Sequence, residues 1–134
     1  MRLNPSEEDV IKAIMVYFNL VGVRLHRIVE RIPKRDGRGR IVGRTSTPGM
    51  PDLAGWVRPR ILGSNPVPVY IEAKRPKGKR RPAQEAFIAE AREEGVIAFF
   101  AESLDQAMDE MERAGVTLPR LWANPEAKKS AAAF

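Results

Sequence analysis

Apolar side chains at Val10, Ile11, Ile14, Met15, Phe18 and Val21 fall three and four residues apart, which predicts a helix with one buried face. Asn4 reads as its N-cap and Pro5 as its first helical residue, with acids in the first turn and Gly22 as its end. From Val23 the period changes to two. Val23, Leu25, Arg27 and Val29 alternate with Arg24, His26, Ile28 and Glu30, which predicts a strand over 23–32. Asp-Gly and Gly-Arg-Gly mark 34–40 as a turn, and Ile41-Val42 begins a short second strand. Two prolines and a glycine make 45–51 a loop of restricted geometry. A short apolar strand is expected over 52–57, a loop over 58–66 and a buried strand over 68–73. Pro82 starts a helix with Ala83, Ala86, Phe87 and Ala91 on its apolar side, and Gly95 stops it. The unbroken apolar run 96–101 is a further buried strand. Ser103 caps a last helix (Leu104, Ala107, Met108, Met111) closed by Gly115. Residues 116–134 show little periodicity, and 127–134 read as a mobile tail.

The order is helix, three short strands, helix, strand, helix, with no internal repeat. Strand 69–73, helix 83–94 and strand 96–101 in succession predict a right-handed parallel crossover. The class is α/β or α+β, a central mixed sheet flanked by helices. A chain of 134 residues, 43% apolar, makes one such domain and is too short for two. We place it at 1–115, with a partly mobile C-terminal extension at 116–134.

Composition narrows the chemistry. There is no cysteine, which excludes disulfides, a thiolate nucleophile and zinc sites that need sulfur. With His26 the single histidine, any metal must be held mainly by oxygen, which suits magnesium, manganese or calcium. No apolar run reaches the ~20 residues of a membrane span, and no signal peptide is expected from Met-Arg-Leu-Asn-Pro. A cytoplasmic protein is the expectation.

The net charge of +6 is concentrated. Residues 24–81 carry sixteen Lys or Arg against four acids, net +12, while 1–23 and 82–134 are net −1 and −5. One run comprises Arg31, Lys34, Arg35, Arg38, Arg40 and Arg44; the other comprises Lys74, Arg75, Lys77, Lys79, Arg80 and Arg81. Such a field attracts polyanions, of which nucleic-acid phosphates are the usual ones; a solvated loop surface is the bland alternative. The basic residues do not lie on an amphipathic helix, so a membrane surface is disfavoured.

Two acids interrupt apolar, strand-like stretches: Asp52 after Pro51, and Glu72 within Val69-Tyr70-Ile71-Glu72-Ala73-Lys74. A carboxylate at the end of a buried strand is costly without a cation or donors. Glu72 and Lys74 are two apart and share a face, with Ile71 and Ala73 on the other. If the strand led by Asp52 pairs with this one, two carboxylates about 4–5 Å apart can chelate one Mg²⁺. The lysine can then orient or help deprotonate water, or stabilise phosphate charge. A same-face Glu72–Lys74 salt bridge and a turn role for Asp52 are the structural alternatives.

Pro51-Asp52 followed by Glu72-Ala73-Lys74 resembles the PD-(D/E)xK nuclease signature. Gly49-Met50-Pro51-Asp52-Leu53, Tyr70-Ile71-Glu72-Ala73-Lys74, Gly78-Lys79 and Gln84 narrow the resemblance to the virus-type replication-repair nuclease family, VRR-NUC, over roughly residues 6 to 112. The resemblance implies a restriction-endonuclease-like core of order αβββαβα. It implies one metal-dependent site lined by an acid of the first helix, an Asp, a Glu, a Lys and a Gln. Here these are Glu7, Asp52, Glu72, Lys74 and Gln84, the last orienting water or a phosphate. The metal, Mg²⁺ with Mn²⁺ as substitute, is expected on Asp52, Glu72, the Ala73 carbonyl and Glu7. Glu7 continues the apolar stripe inward while Glu8 is rotated away, yet Asn4-x-x-Glu7 equally fits a capping box.

The implied activity is a structure-selective DNA endonuclease that cuts branched DNA such as Holliday junctions, working as a homodimer on a two-fold substrate. A lone domain fits a phage-type or mobile-element protein acting in the host cytoplasm. Arg35, Arg38, Arg40, Arg44, Arg75, Lys77, Lys79, Arg80 and Arg81 would hold the backbone. Trp56 and Trp122 read as packing rather than base-stacking residues, because the aromatics do not interleave with the basic runs. His26 reads as an ordinary strand residue. A non-catalytic binding module of the same fold, and a restriction-type sequence-specific nuclease, are the alternatives.

Overall fold

The computed structural model of the chain describes residues 4–28, 32–45 and 49–121, with the side chains of 32–34 and 42–45 outside that description. Helix α1 (Glu7–Val21) buries Val10, Ile11, Ile14, Phe18 and Val21 from the predicted stripe. It starts two residues later than the sequence suggests. Ser6, and not Asn4, is the N-cap: its hydroxyl accepts from Asp9 N at 3.1 Å, and the Asp9 carboxylate accepts from Ser6 N at 3.0 Å. This reciprocal box satisfies two backbone donors at once. Pro5 stays outside the helix, and Glu7 has no capping role.

The expected strand 23–32 divides. β1 (Val23–Arg27) joins a four-stranded sheet, whereas β2 (Ile32–Arg35) pairs only with β3 (Ile41–Thr45). The turn between them is the predicted one, and the Asp36 carboxylate fixes it by accepting from Arg38 N and Arg40 N at 2.8 and 3.0 Å. The strand expected to begin at Ile41 is thus the return arm of a hairpin. Residues 29–31 of the predicted strand lie outside the described residues.

β4 (Leu53–Val57) pairs antiparallel with β1 and with β5 (Val67–Ala73). Between them a short helix, α2 (Pro59–Leu62), occupies part of 58–66, where only loop was expected. Helix α3 (Pro82–Glu93) carries the chain from β5 to β6 (Ile97–Ala101), which runs parallel to β5 as predicted. Helix α4 (Leu104–Arg113) follows, with Ser103 as N-cap. The sheet order is β1-β4-β5-β6, the mixed α+β arrangement that the pattern implies, with the hairpin and α2 as additions to the expected order.

The two faces of the sheet are packed unequally. α1 and α4 cover one face through Ile14, Phe18, Leu53, Val69, Ile71, Phe99 and Met111. α3 covers only the β5–β6 half of the other, where Ile88, Ala91, Ala98 and Phe100 meet Tyr70 and Phe87. On the half left uncovered among the described residues stands Trp56, 41% exposed, at the rim of the packing and not in its core. Chain beyond Gly115 still serves the first core. Val116 and Leu118 are buried in it, and the Tyr17 hydroxyl donates to the Pro119 carbonyl and accepts from Leu121 N at 2.7 Å. Arg92 of α3 donates Nε to the Ala98 carbonyl of β6 at 2.6 Å and approaches Glu110 of α4 at 3.5 Å. Trp122 and the tail 127–134 lie outside the described residues. Among the described residues no helix is long and apolar enough to cross a membrane.

Gly49 sits in the left-handed region at φ +83°, where a Cβ would meet the Ala83 carbonyl oxygen at 2.5 Å. The loop leading to Asp52 therefore lies directly on the first turn of α3. Gly49→Ala is expected to lower stability by about 1–3 kcal/mol in denaturant melts. A loss under about 0.5 kcal/mol would mean that the loop is free to move off the helix.

Candidate metal centre

Three carboxylates from three elements meet at one end of the sheet. Asp52 immediately precedes β4, Glu72 is the penultimate residue of β5, and Glu7 opens α1. One oxygen from each lies within 4.8 Å of the other two. Strand pairing brings the first two together: with Leu53 opposite Ile71, Asp52 comes opposite Glu72. Two backbone contacts then fix Asp52. Its Oδ2 accepts from Ala73 N at 2.9 Å, and its carbonyl accepts from Ile28 N at 2.8 Å. Glu7 reaches the cluster from the opposite face of the sheet, since Ser6 and Asp9 have already closed the cap of α1.

Glu72 is only 4% exposed. Its Oε1 accepts from Gln84 Nε2 at 2.8 Å, while its Oε2 is buried with no hydrogen-bond donor. Gln84 is itself held, because its Oε1 accepts from Arg81 N at the start of α3 at 3.1 Å. It thus ties the first turn of α3 to the Glu72 carboxylate. The amide expected to orient water or a phosphate is engaged at both ends within the protein.

Loss of hydration, and then the neighbouring Asp52 charge, push the Glu72 carboxyl up to about 8, against the pull of Lys74. Asp52 is also raised, chiefly by burial, with the Ala73 N–H opposing. Two acids held together out of water, one with an orphaned oxygen, have the donor chemistry that a hard divalent cation satisfies. An all-oxygen ligand set fits magnesium or manganese and not a soft metal.

A groove of about 1320 Å³ opens at the cluster. Lys74, 6% exposed, borders it beside Asp52 and Glu7. The Lys74 backbone N donates to the Ala101 carbonyl at 2.9 Å, which fixes the root of this side chain. Arg75, Lys77, Lys79, Arg80 and Arg81 are exposed along the same groove. Arg80 also lies over the Phe100 ring, 4.3 Å from its centroid. The first basic run is placed differently. Arg35, Arg38 and Arg40 are exposed at the tip of the hairpin, which is inserted between β1 and β4. Arg35 donates to the Gly39 carbonyl at 2.8 Å and Arg40 pairs with Asp36 at 3.4 Å. The Arg44 side chain lies outside the described residues.

The groove also holds a pair that sequence reasoning missed. Arg27, the last residue of β1, donates through both Nη atoms to Glu8 at 2.6 and 2.7 Å, and both residues border the groove. Glu8 is therefore not turned away from the site. The alternation that puts Arg27 on the α1 side of β1 was the available signal. This bidentate contact holds the Glu8 carboxyl below its ordinary range.

The raised Glu72 carboxyl has a consequence for stability. Between its ordinary 4.5 and about 8 the folded chain binds this proton more tightly than the unfolded chain, so its contribution to stability falls as pH rises through that window. Without divalent metal, Glu72→Gln is expected to exceed the parent protein in stability at pH 8 by about 1–3 kcal/mol. The gap should close toward acid pH, and added Mg²⁺ should stabilise only the parent. Melts over this pH range, with Mg²⁺ or EDTA, measure the gap; one independent of pH would contradict the assignment.

No curated protein and no solved structure matches the chain. The family model described as the VRR-NUC domain matches residues 4–105, a stretch that contains all three carboxylates, Lys74 and Gln84. The chain belongs to the VRR-NUC domain family and is a nuclease-type domain.

Proposed function

We propose that the protein is a Mg²⁺-dependent endonuclease that hydrolyses phosphodiester bonds in DNA, with branched DNA such as a Holliday junction as its preferred substrate. One observation carries this reading: one oxygen from each of Glu7, Asp52 and Glu72 lies within 4.8 Å of the other two, beside a groove bordered by cations. These carboxylates, with the Ala73 carbonyl, are the ligand set; Mn²⁺ substitutes for Mg²⁺. A divalent ion bound there supplies charge neutralisation at the phosphate and a more acidic water. Lys74 contributes its ammonium to the negative charge that builds on the phosphate, or orients the attacking water. Gln84 acts through Glu72 and is a positioning residue. Ala73 N–H holds Asp52 in place before substrate arrives, so this carboxylate needs no reorientation during reaction.

Arg75, Lys77, Lys79, Arg80 and Arg81 hold backbone phosphates along the groove. Arg35, Arg38, Arg40 and Arg44 of the hairpin supply a second set of contacts. Contacts of this kind place a duplex without reading its bases, so recognition rests on backbone and shape. A four-way junction has two-fold symmetry, and a homodimer puts one site on each of two equivalent strands.

The test compares the parent protein and Lys74→Ala on four-way-junction, flap, linear and supercoiled DNA in Mg²⁺, Mn²⁺ or EDTA. The parent is expected to cut branched DNA with either metal and not in EDTA. The variant is expected to lose about 10²–10³-fold in rate while still binding. Undiminished cutting by Lys74→Ala removes the lysine from the mechanism. Binding without metal-dependent cutting identifies a non-catalytic module, and cutting of linear duplex at one repeated sequence identifies a restriction-type enzyme.

Affinity measured in EDTA should fall steeply with salt as phosphate counterions are displaced. Replacing Lys77 and Lys79 together by alanine should reduce the log–log slope by about 2. An unchanged slope would take these lysines off the DNA.

A further inference from the structure

The half of the sheet that α3 leaves open begins at the carboxylate site. Side chains alternate along β4, so Asp52, Ala54 and Trp56 lie on one face. The register sets His26 of β1 opposite Ala54, and Pro68 of β5 opposite Trp56. Tyr70 marks the border, where its ring meets Phe87 of α3 edge-on at 5.2 Å. Beyond that border the Trp56 and His26 rings stand 6.0 Å apart, tilted by 41°. Both residues are exposed, as is Pro68. Arg24, opposite Trp56 on β1, is tethered at the sheet edge by Asn19 Oδ1 at 3.2 Å.

We propose that this open face, with Trp56 as the platform and His26 beside it, stacks unpaired bases of the strand whose phosphate enters the carboxylate site. The inference rests on the nuclease reading and moves its preferred branched substrate from a fully paired four-way junction to one with a single-stranded stretch next to the cut, such as a flap. Trp56 lies four residues along β4 from Asp52, about 13 Å at about 3.3 Å per residue. A strand that keeps the helical spacing of about 3.4 Å covers that distance in about four nucleotides. The cations of the groove stand at one end of this path and Arg24 at the other, so phosphates are met on both sides of the stacked bases. Flat aromatic faces beside cations are what single strands bind, because every base has a π-face. An apolar partner protein would instead bury the Arg24 charge on docking, which is unfavourable without a counter-charge.

The experiment uses the full chain in EDTA, with an oligo-dT of about fifteen nucleotides and a blunt duplex of similar length. Oligo-dT is expected to quench tryptophan fluorescence in the parent protein. Trp56→Phe should lose most of that quench, since Trp122 is the only other tryptophan, while keeping most of the affinity. Trp56→Ala should bind oligo-dT about tenfold more weakly and the duplex within about twofold. His26→Ala should show a smaller loss in the same direction. Equal weakening on both probes, or none on either, overturns the proposal. A change in oligomeric state of Trp56→Ala without DNA would assign the face to a second copy, and a lower melting temperature with unchanged oligo-dT affinity would assign it to the chain's own hairpin; either result overturns the proposal too. Trp56-dependent binding by a protein that cuts nothing in Mg²⁺ would leave the platform standing and defeat the hydrolytic reading. Metal-dependent cutting with no Trp56 effect on binding would defeat the platform alone.

Discussion

When both are ionised Asp52 and Glu72 repel each other, and the domain is arranged to hold them together regardless. The antiparallel pairing of β4 with β5 brings their backbones into register. The Ala73 N–H and the Gln84 amide each take one carboxylate oxygen, which leaves the buried Oε2 of Glu72 unmet. Neither contact removes the repulsion. Each fixes direction, so that the remaining lone pairs meet at one place with Glu7. The folded core supplies the free energy that sustains this arrangement. Leu53 and Ile71, next to the two acids in the chain, are fully buried on the opposite face. A slip of one residue in β4 against β5 would send Asp52 into the core and Leu53 outward. The packing that stabilises the sheet therefore also enforces the geometry of the site.

What could be read from the sequence follows the reach of its local signals. Long periodic stretches were plain: the buried stripe of α1, the β5–α3–β6 crossover, and α4 with its Ser103 cap. The pairing of Asp52 with Glu72 was legible because two short apolar strands, each with one acid at its end, have few ways to share a sheet. The start of α1 was not, because Asn4-Pro5 and Ser6 are both good starting signals. Only the reciprocal bonds of Ser6 and Asp9 decide between them. That local contest releases Glu7 from the cap, which no spacing rule could decide. The hairpin was half legible. Alternation predicts an extended stretch over 23–32, but a period of two carries no information about which neighbour a strand takes. The double engagement of Gln84, the Arg27–Glu8 pair and the exposure of Trp56 are tertiary facts with only faint traces in the chain.

The two faces of the sheet divide the work. The one beneath α1 and α4 is close-packed and extends to Val116 and Leu118. The other is dry only where α3 lies, and it carries polar chemistry at its end and aromatic rings on its open half. α1 links the two faces: its middle turns belong to the core and its first residue to the carboxylate cluster. Charge follows the same division. The basic run 74–81 gathers at the end of the sheet where the acids sit, so three carboxylates lie beside a positive surround.

The parallel pair at the other margin bears on a different property. β6 ends the sheet, and a terminal strand with free carbonyls is a template on which another chain can add its own strand. Arg92 occupies the Ala98 carbonyl at that margin and is itself steered by Glu110. An incoming strand must displace a charged side chain before it can form its first bond there. The guanidinium thus covers part of the edge that strand addition would use.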